Sequence, residues 1–229
     1  MLDRKNRPMK NNCGQKRRKF LTYNAMTKSI LAAILILGGL ALAFLYRQSG
    51  PEIVNGHPGG GNIICFGDSL TAGYGAGPGL DYPAQLSKML GREVINLGVS
   101  GDTTATALAR LDQVLSRQPR IVLLTLGGND IRKGINQATA FANLEEIIRK
   151  IQARGALVVI GGIDIPFFSR GFGDGYRDLA QRTGSVLIPD VFAGIWGKPE
   201  LMSDQIHPNE AGYRLMATHF RRALEPYLD

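Results

Sequence analysis

The sequence predicts an α/β domain built on a parallel sheet of about five strands, with helices on both faces. Two observations lead to this fold class. From residue 62 to the end of the chain, short apolar runs alternate with amphipathic stretches in the order strand, helix, strand, helix. The apolar runs are hydrophobic throughout, which is typical of strands buried on both faces, and parallel strands need a long connection between them, usually a helix.

Each strand is expected where an apolar run ends at a glycine or a polar residue. The run IVLLTLG at 121–127 is the strongest strand signal in the chain. The expected strands span residues 62–66, 93–98, 121–127, 156–163 and 185–189. In open parallel sheets the functional site lies outside the carboxyl ends of the strands, so the residues that follow each run are the candidates for chemistry.

The connecting segments have the spacing of amphipathic helices. Residues 139–154 give the clearest pattern, because their apolar side chains recur at intervals of three and four residues. Residues 103–117 place Leu108, Leu111 and Leu115 on one face. The expected helices span residues 82–90, 103–117, 139–154, about 174–183 and about 208–226.

An uncharged, apolar segment lies ahead of this domain. Residues 29–46 would span about 27 Å as a helix, close to the thickness of a bilayer core. Residues 1–28 carry nine Lys and Arg, so the positive-inside rule keeps them in the cytoplasm and exports the rest. We therefore expect a basic cytoplasmic tail at 1–28, a transmembrane signal anchor at 29–46, a Gly- and Pro-rich linker at 47–61 and the folded domain at 62–229. The domain is then periplasmic or extracellular, held at the inner (cytoplasmic) membrane.

Two other interpretations of residues 29–46 remain. Ala41-Leu42-Ala43 resembles the small-x-small cleavage pattern of a signal peptide, although the apolar run continues beyond it. The segment could also be a buried core helix, but it is apolar all round and follows a basic cluster, which favours the anchor.

The charge is distributed unevenly along the chain. The net charge of the chain is +8. Residues 1–47 contain ten basic residues and one acidic residue, whereas residues 48–229 contain seventeen basic and eighteen acidic residues. A nearly neutral domain argues against a nucleic-acid partner. The chain has neither a Cys/His cluster for zinc nor a DxDxDG-type calcium loop, so we expect no metal and no cofactor.

Small polar motifs follow three strands and precede the last helix. A serine nucleophile needs a base, and Ser69 follows the first strand. His207 is a candidate base, because Asp204 lies three residues earlier and one turn can bring its carboxylate to the imidazole. Pro208 suits the first position of the last helix and would hold His207 at the start of that helix.

An acyl-transfer intermediate also needs hydrogen-bond donors for its oxyanion. The candidates are the backbone N–H groups of Ser69 and Gly101 and the side-chain amide of Asn129. Glycine at position 101 leaves the backbone accessible because it has no Cβ.

Four motifs in this order resemble those of the SGNH, or GDSL, hydrolase family, and the resemblance covers nearly all of residues 62–229. They read FGDSLTAGYG, NLGVSGDTT, LGGND and, with the DxxH pair, DQIHPNEAGY. They are most similar to the branch of bacterial acyl-CoA thioesterase/lysophospholipase and arylesterase enzymes. The resemblance implies a three-layer α/β/α, flavodoxin-like fold without a metal. The N-terminus departs from many relatives, which look like soluble exported enzymes.

The same resemblance implies roles for the candidate residues. Ser69 would be the nucleophile, His207 its base and Asp204 the acid that orients the base. Ser69, Gly101 and Asn129 would form the oxyanion hole. The expected activity is that of a membrane-tethered serine esterase or thioesterase acting on small-molecule or lipid acyl esters.

Other functions stay open at this level. The same triad would serve an O-acetylesterase or acyltransferase acting on surface or cell-wall glycans. A binding module without activity and a membrane scaffold are the non-enzymatic alternatives. The stretch 164–176 follows a strand and would border the acyl pocket, with aromatic side chains that suit an apolar acyl or aryl group or that pack in the core instead. These side chains are Phe167, Phe168, Phe172 and Tyr176.

Overall fold

The five expected strands form one parallel sheet in the order β2-β1-β3-β4-β5. The strands are β1 (Asn62–Gly67), β2 (Val94–Gly98), β3 (Pro119–Thr125), β4 (Leu157–Gly161) and β5 (Val186–Ile188). The computed structural model describes residues 34–39, 52–59, 61–169 and 171–228. This strand order is the flavodoxin-like one, and its switch point lies between β1 and β3.

Eight helices follow and connect these strands in the part of the chain from residue 61 onward that the structure describes. They are α1 (Ser69–Ala72), α2 (Tyr82–Leu90), α3 (Thr104–Ala109), α4 (Asp112–Leu115), α5 (Gly128–Lys133), α6 (Gln137–Gln152), α7 (Phe172–Thr183) and α8 (Glu210–Leu224). Short 3₁₀ turns lie at Pro199–Leu201 and Glu225–Tyr227.

The core lies on both faces of the sheet. Every residue of β4 is buried, as are all residues of β1 and β3 except Asn62 and Arg120. The helices pack in two groups, with α2 against α8 and with α6 against α3 and α7. Strands without an exposed face require a helical layer on either side, so the prediction of a covered parallel sheet is confirmed.

Two helical predictions differ from the structure, and two short helices were not predicted. The expected helix 103–117 is two helices, α3 and α4, because α3 ends at Arg110, whose N–H bonds to Ala107 O and Leu108 O. Helices α1 and α5 are too short to produce a periodic pattern. The last helix begins at Glu210, since Asn209 caps it by accepting hydrogen bonds from the N–H groups of the first turn. Pro208 is therefore not the first helical residue, and it forms a short bridge to Met202 instead.

The chain divides into two compact units, Met1–Gly50 and Pro51–Asp229. In the first unit the structure describes residues 34–39, which are helical. Most of the expected anchor at 29–46, and the tail at 1–28, lie outside the described residues. Among the residues that are described, no helix has the length and apolar character needed to cross a bilayer.

Part of the expected linker contacts the domain. Val54 N–H donates to Gly184 O at 2.9 Å. Asn55 Nδ2 donates to Gln152 O and to Ala156 O, each at 2.9 Å. The ordered domain therefore includes these residues, ahead of the expected boundary at 62.

Candidate active site

Ser69 is the first residue of α1, and Asp68 alone separates it from β1. The turn is tight: a Cβ on Gly67 would lie 2.3 Å from Thr125 O and 2.2 Å from Thr71 Oγ1, so only glycine fits there. Asp68 caps α1, and its Oδ1 accepts the Leu70 N–H at 3.0 Å. The strand and the cap together fix Ser69 at the carboxyl end of the sheet.

His207 reaches Ser69 from the loop before α8. Ser69 Oγ lies 3.0 Å from His207 Nε2, and His207 Nδ1 lies 2.8 Å from Asp204 Oδ2. The three predicted side chains thus form one continuous chain of hydrogen bonds. In this arrangement Nδ1–H donates to the carboxylate, and Nε2 is left to accept the serine proton.

Asp204 has two tasks, one for each carboxylate oxygen. Oδ1 accepts the backbone N–H of Ile206 at 2.8 Å and that of His207 at 2.7 Å, and Oδ2 faces the imidazole. Burial works against the charged form, but these hydrogen bonds outweigh it and lower the pKa of Asp204 below its usual value. Asp204 is therefore held as a carboxylate, although its side chain is 42% exposed.

Tyr74 packs on the histidine ring, and the sequence analysis did not single it out. The ring centroids of Tyr74 and His207 lie 4.5 Å apart at an interplanar angle of 46°. Tyr213 Oη holds the Tyr74 backbone by donating to its carbonyl oxygen at 2.8 Å. Tyr74 lies a few residues after Ser69 in the sequence, and this proximity was the only signal that could have indicated a place in the site.

The candidate oxyanion donors follow β2 and β3. Asn129 is buried at the start of α5, and its Nδ2 donates to Asp102 O at 2.9 Å, which leaves its second N–H for a substrate. Gly101 is exposed and has a φ of +89°, and no atom lies within 4 Å of where its Cβ would be. Glycine is thus required there by the backbone conformation rather than by close packing.

Two buried aspartates surround these donors. Burial, and then the neighbouring charges of Asp102 and Asp130, raise the pKa of Asp68 to about 7 against the opposing hydrogen bond from Leu70. Asp130 accepts hydrogen bonds from Thr104 N–H at 3.0 Å and from Thr104 Oγ1 at 2.7 Å. Asp130 therefore joins the start of α3 to the helix that carries Asn129.

A cleft opens beside Ser69 and His207 and holds about 380 Å³ of empty space, its open mouth included. Its walls are mostly apolar and come from the loops after β4 and β5. The apolar lining residues are Leu70, Ile163, Ile165, Phe168, Phe192, Trp196 and Ile206. Of the aromatic residues in 164–176, Phe168 alone lines the cleft.

The other aromatic residues of that stretch have different environments. Phe172 and Tyr176 are buried in the core, where Tyr176 Oη donates to Leu126 O at 2.6 Å. Phe167 is fully exposed and has a φ of +63°. Of the two alternatives that the sequence left open for this stretch, core packing therefore holds for Phe172 and Tyr176, and a position in the cleft holds for Phe168.

The described residues contain no group of three or more His, Cys, Asp or Glu side chains arranged to hold a metal ion. What the site does contain is a serine at the carboxyl end of a parallel sheet, hydrogen-bonded to a histidine and, through it, to an aspartate. A parallel α/β fold with this arrangement beside an apolar cleft defines a serine hydrolase.

The comparisons with known proteins agree with this class. The profile of the GDSL-like Lipase/Acylhydrolase family matches residues 65–215, and the chain belongs to that family. Esterase TesA of Pseudomonas aeruginosa is 31% identical over 210 residues, covering 86% of this chain and 100% of that protein. Thioesterase 1/protease 1/lysophospholipase L1 of Escherichia coli is 31% identical over 176 residues, covering 73% and 85% respectively.

A solved structure shares the fold as well. The esterase EstA from Pseudoalteromonas sp., crystallised with monoethylphosphonate as inhibitor, superposes with a TM-score of 0.66 at 28% identity. The match covers 72% of this chain and 96% of that one. The predicted family and the prediction of an esterase-type hydrolase are confirmed, and the chain is an enzyme that hydrolyses acyl esters.

Proposed function

We propose that the protein is a serine esterase or thioesterase that works through an acyl-enzyme on Ser69 and prefers an apolar acyl group. The observation that carries the proposal is the unbroken chain of hydrogen bonds from Ser69 Oγ through His207 to Asp204, at the edge of an apolar cleft. Lysophospholipids and thioesters of long-chain acids present such an acyl group, and so do aryl esters whose acid part is apolar.

In the first half-reaction Ser69 Oγ attacks the acyl carbonyl carbon and its proton passes to His207 Nε2. The carbonyl oxygen becomes an oxyanion that accepts hydrogen bonds from Ser69 N–H, Gly101 N–H and Asn129 Nδ2. The bond to the leaving oxygen or sulfur then breaks, and His207 returns the proton to the departing alcohol or thiol. The acyl group stays on Ser69 as an ester.

In the second half-reaction a water molecule replaces the leaving group. It attacks the acyl carbon while His207 Nε2 takes its proton. The bond between Ser69 Oγ and the acyl carbon then breaks, His207 returns the proton to Oγ, and the carboxylic acid leaves. Asp204 stabilises the imidazolium in both halves by accepting the Nδ1–H hydrogen bond.

The lining of the cleft supports the acyl preference. Most of the residues that line the cleft are aliphatic or aromatic, including Ile163, Ile165 and Phe168. Each methylene buried there contributes about 0.8 kcal/mol, which is about fourfold in kcat/KM until the cleft is filled. An O-acetylesterase would instead hydrolyse acetyl esters best.

The test is a panel of p-nitrophenyl esters from acetyl to palmitoyl, together with an acyl-CoA and a lysophospholipid, assayed with purified full-length protein. We expect activity to rise with chain length beyond acetyl and to disappear in Ser69→Ala. Ser87→Ala is the matched control, because Ser87 Oγ donates to Arg92 O on the far end of α2. Undiminished hydrolysis by Ser69→Ala would refute the nucleophile, and a maximum at acetyl would favour the glycan esterase.

We also propose that residues 29–46 anchor the enzyme in the inner membrane, with 1–28 in the cytoplasm and the catalytic domain outside it. The support is the uncharged run and the nine basic residues on one side of it. Protease added to spheroplasts should release an active domain and spare the tail. A catalytic domain protected from the protease would refute this orientation, and mature protein starting after Ala43 would indicate a cleaved signal peptide.

A further inference from the structure

Arg110 is a largely buried arginine behind the candidate oxyanion hole, and the reaction described above gives it no role. Arg110 is the C-cap residue of α3, and its side chain is 14% exposed. Nε lies 2.6 Å from Asp102 Oδ2, and Nη2 donates to Gly67 O at 3.0 Å. The guanidinium carbon sits 4.4 Å from the centre of the buried Phe66 ring, so the charge is held on three sides.

Asp102, the partner of Arg110, belongs to the turn that carries Gly101. The Asp102 N–H bonds to Val99 O at 3.2 Å and closes this turn, and the Val99 N–H bonds to Gly67 O at 3.0 Å. The carboxylate is also fixed from its other side, since Thr106 Oγ1 donates to Oδ1 at 2.9 Å. These bonds fix Asp102 directly beside Gly101 in the turn.

The backbone carbonyl of Asp102 also holds Asn129, whose Nδ2 donates to it at 2.9 Å. Gly67, the second partner of Arg110, lies two residues before Ser69. The Arg110–Asp102 pair is thus connected to each of the three groups that would bind the oxyanion: through Gly67 to Ser69, through the turn to Gly101, and through the carbonyl to Asn129.

We propose that Arg110 and Asp102 form a positioning pair that aligns the three oxyanion donors and thereby determines kcat. The inference rests on the proposed function of Ser69, Gly101 and Asn129. Oxyanion donors must be correctly placed before charge develops, and a displacement of about 1 Å can cost about 100-fold in rate.

If Arg110 and Asp102 served only the stability of the fold, the expected results would differ. A buried ion pair contributes little to stability compared with neutral replacements, but removal of one partner leaves the other charge buried and unpaired. Arg110→Met should therefore destabilise the fold, and Arg110→Met/Asp102→Asn should recover much of that stability because no charge remains. If stability were the only role of the pair, kcat would recover as well.

The experiment compares these two variants and Arg110→Lys in the full-length protein, well below each melting temperature. We expect kcat to fall about 10- to 100-fold in both Met variants with little change in KM, because the lost alignment acts on the transition state. Arg110→Lys keeps the charge but lacks the planar fork, and it should lose less. Arg149→Met, which removes a surface pair with Glu145 on α6, is the matched control and should keep wild-type kcat.

A double-mutant cycle with Asn129→Ala gives an independent readout. If Arg110 acts through the oxyanion hole, its replacement should cost clearly less in the Asn129→Ala background than in the wild type. Wild-type kcat in Arg110→Met/Asp102→Asn, or fully multiplicative losses in the cycle, would overturn the proposal. If Ser69→Ala is inactive, either of these results refutes only the role of Arg110 and does not affect the proposed function. An active Ser69→Ala would refute the proposed function itself.

Discussion

Replacement of Asp204 by asparagine separates the two tasks of this side chain. The amide oxygen can keep the hydrogen bonds that Oδ1 accepts from the N–H groups of Ile206 and His207, so the loop before α8 should keep its shape. The amide nitrogen then faces His207 Nδ1 in place of the carboxylate oxygen. Because both the amide and Nδ1–H are donors, the ring must move its proton to Nε2, and that nitrogen can no longer accept the proton of Ser69.

The size of the effect follows from two losses. Recovery of the productive tautomer breaks the new amide hydrogen bond, which costs about 1–1.5 kcal/mol. The imidazolium of the transition state loses a charge-assisted hydrogen bond worth about 1.5–3 kcal/mol. At 1.36 kcal/mol per factor of ten, kcat should fall by about 10²–10³-fold. Asp204 is 42% exposed, so water can replace part of the carboxylate, and we expect a smaller loss than the roughly 10⁴-fold known for a buried triad aspartate.

The assay is steady-state hydrolysis of p-nitrophenyl butyrate, with the melting temperature measured on the same samples. Asp204→Asn should melt close to the wild type, and Asp174→Asn, which affects an exposed pair with Arg177, should keep full activity. A fall in kcat of less than tenfold in a folded Asp204→Asn protein would refute the assignment of Asp204 as the residue that orients His207.

Three further predictions concern the oxyanion hole, the pH dependence of stability and the domain boundary. Asn129→Ala should lower kcat by about 10²–10³-fold with a smaller change in KM, since one oxyanion donor is lost, and a change confined to KM would contradict that role. Folding raises the pKa of Asp68 to about 7, so the folded chain binds the carboxyl proton of Asp68 more tightly than the unfolded chain does. The stability gained from this proton is fully present below the unfolded pKa near 3.9, and it is lost as the pH rises through about 7. In Asp68→Asn, the melting temperature should therefore decline less between pH 4 and 7 than in the wild type, and equal declines would show that Asp68 is not protonated on folding. Asn55→Ala removes two hydrogen bonds to backbone carbonyls and should cost about 1–2 kcal/mol in denaturant unfolding, whereas an unchanged free energy of unfolding would mean that residues 53–55 do not stabilise the domain.

The strands were predictable because a strand that is buried on both faces is hydrophobic at nearly every position. The run IVLLTLG has a single polar residue, Thr125, which is buried, and β3 forms the centre of the sheet. The meeting of Ser69 with His207, 138 residues later, was also predictable, since the carboxyl ends of parallel strands share one edge.

The parts that were missed depend on particular side-chain contacts that the pattern of apolar and polar residues does not indicate. Arg110 lies within the expected helix 103–117, and nothing in the sequence indicates its ion pair with Asp102 or its hydrogen bond to Gly67 O. The aromatic residues of α7 have no sequence signal that distinguishes a core position from a cleft position. The start of the last helix depends on a local contact: Asn209 caps α8, and this overrides the preference of Pro208 for the first helical turn.

The central claim is that Ser69 is the nucleophile of this hydrolase. The most direct measurement is mass spectrometry of the full-length protein after reaction with a fluorophosphonate, which modifies serines only where a base and an oxyanion hole activate them. We predict one adduct, located on the peptide that contains Ser69, with none in Ser69→Ala and slow labelling in Asp204→Asn. An adduct on another residue, or equal labelling of Ser69→Ala, would contradict the account.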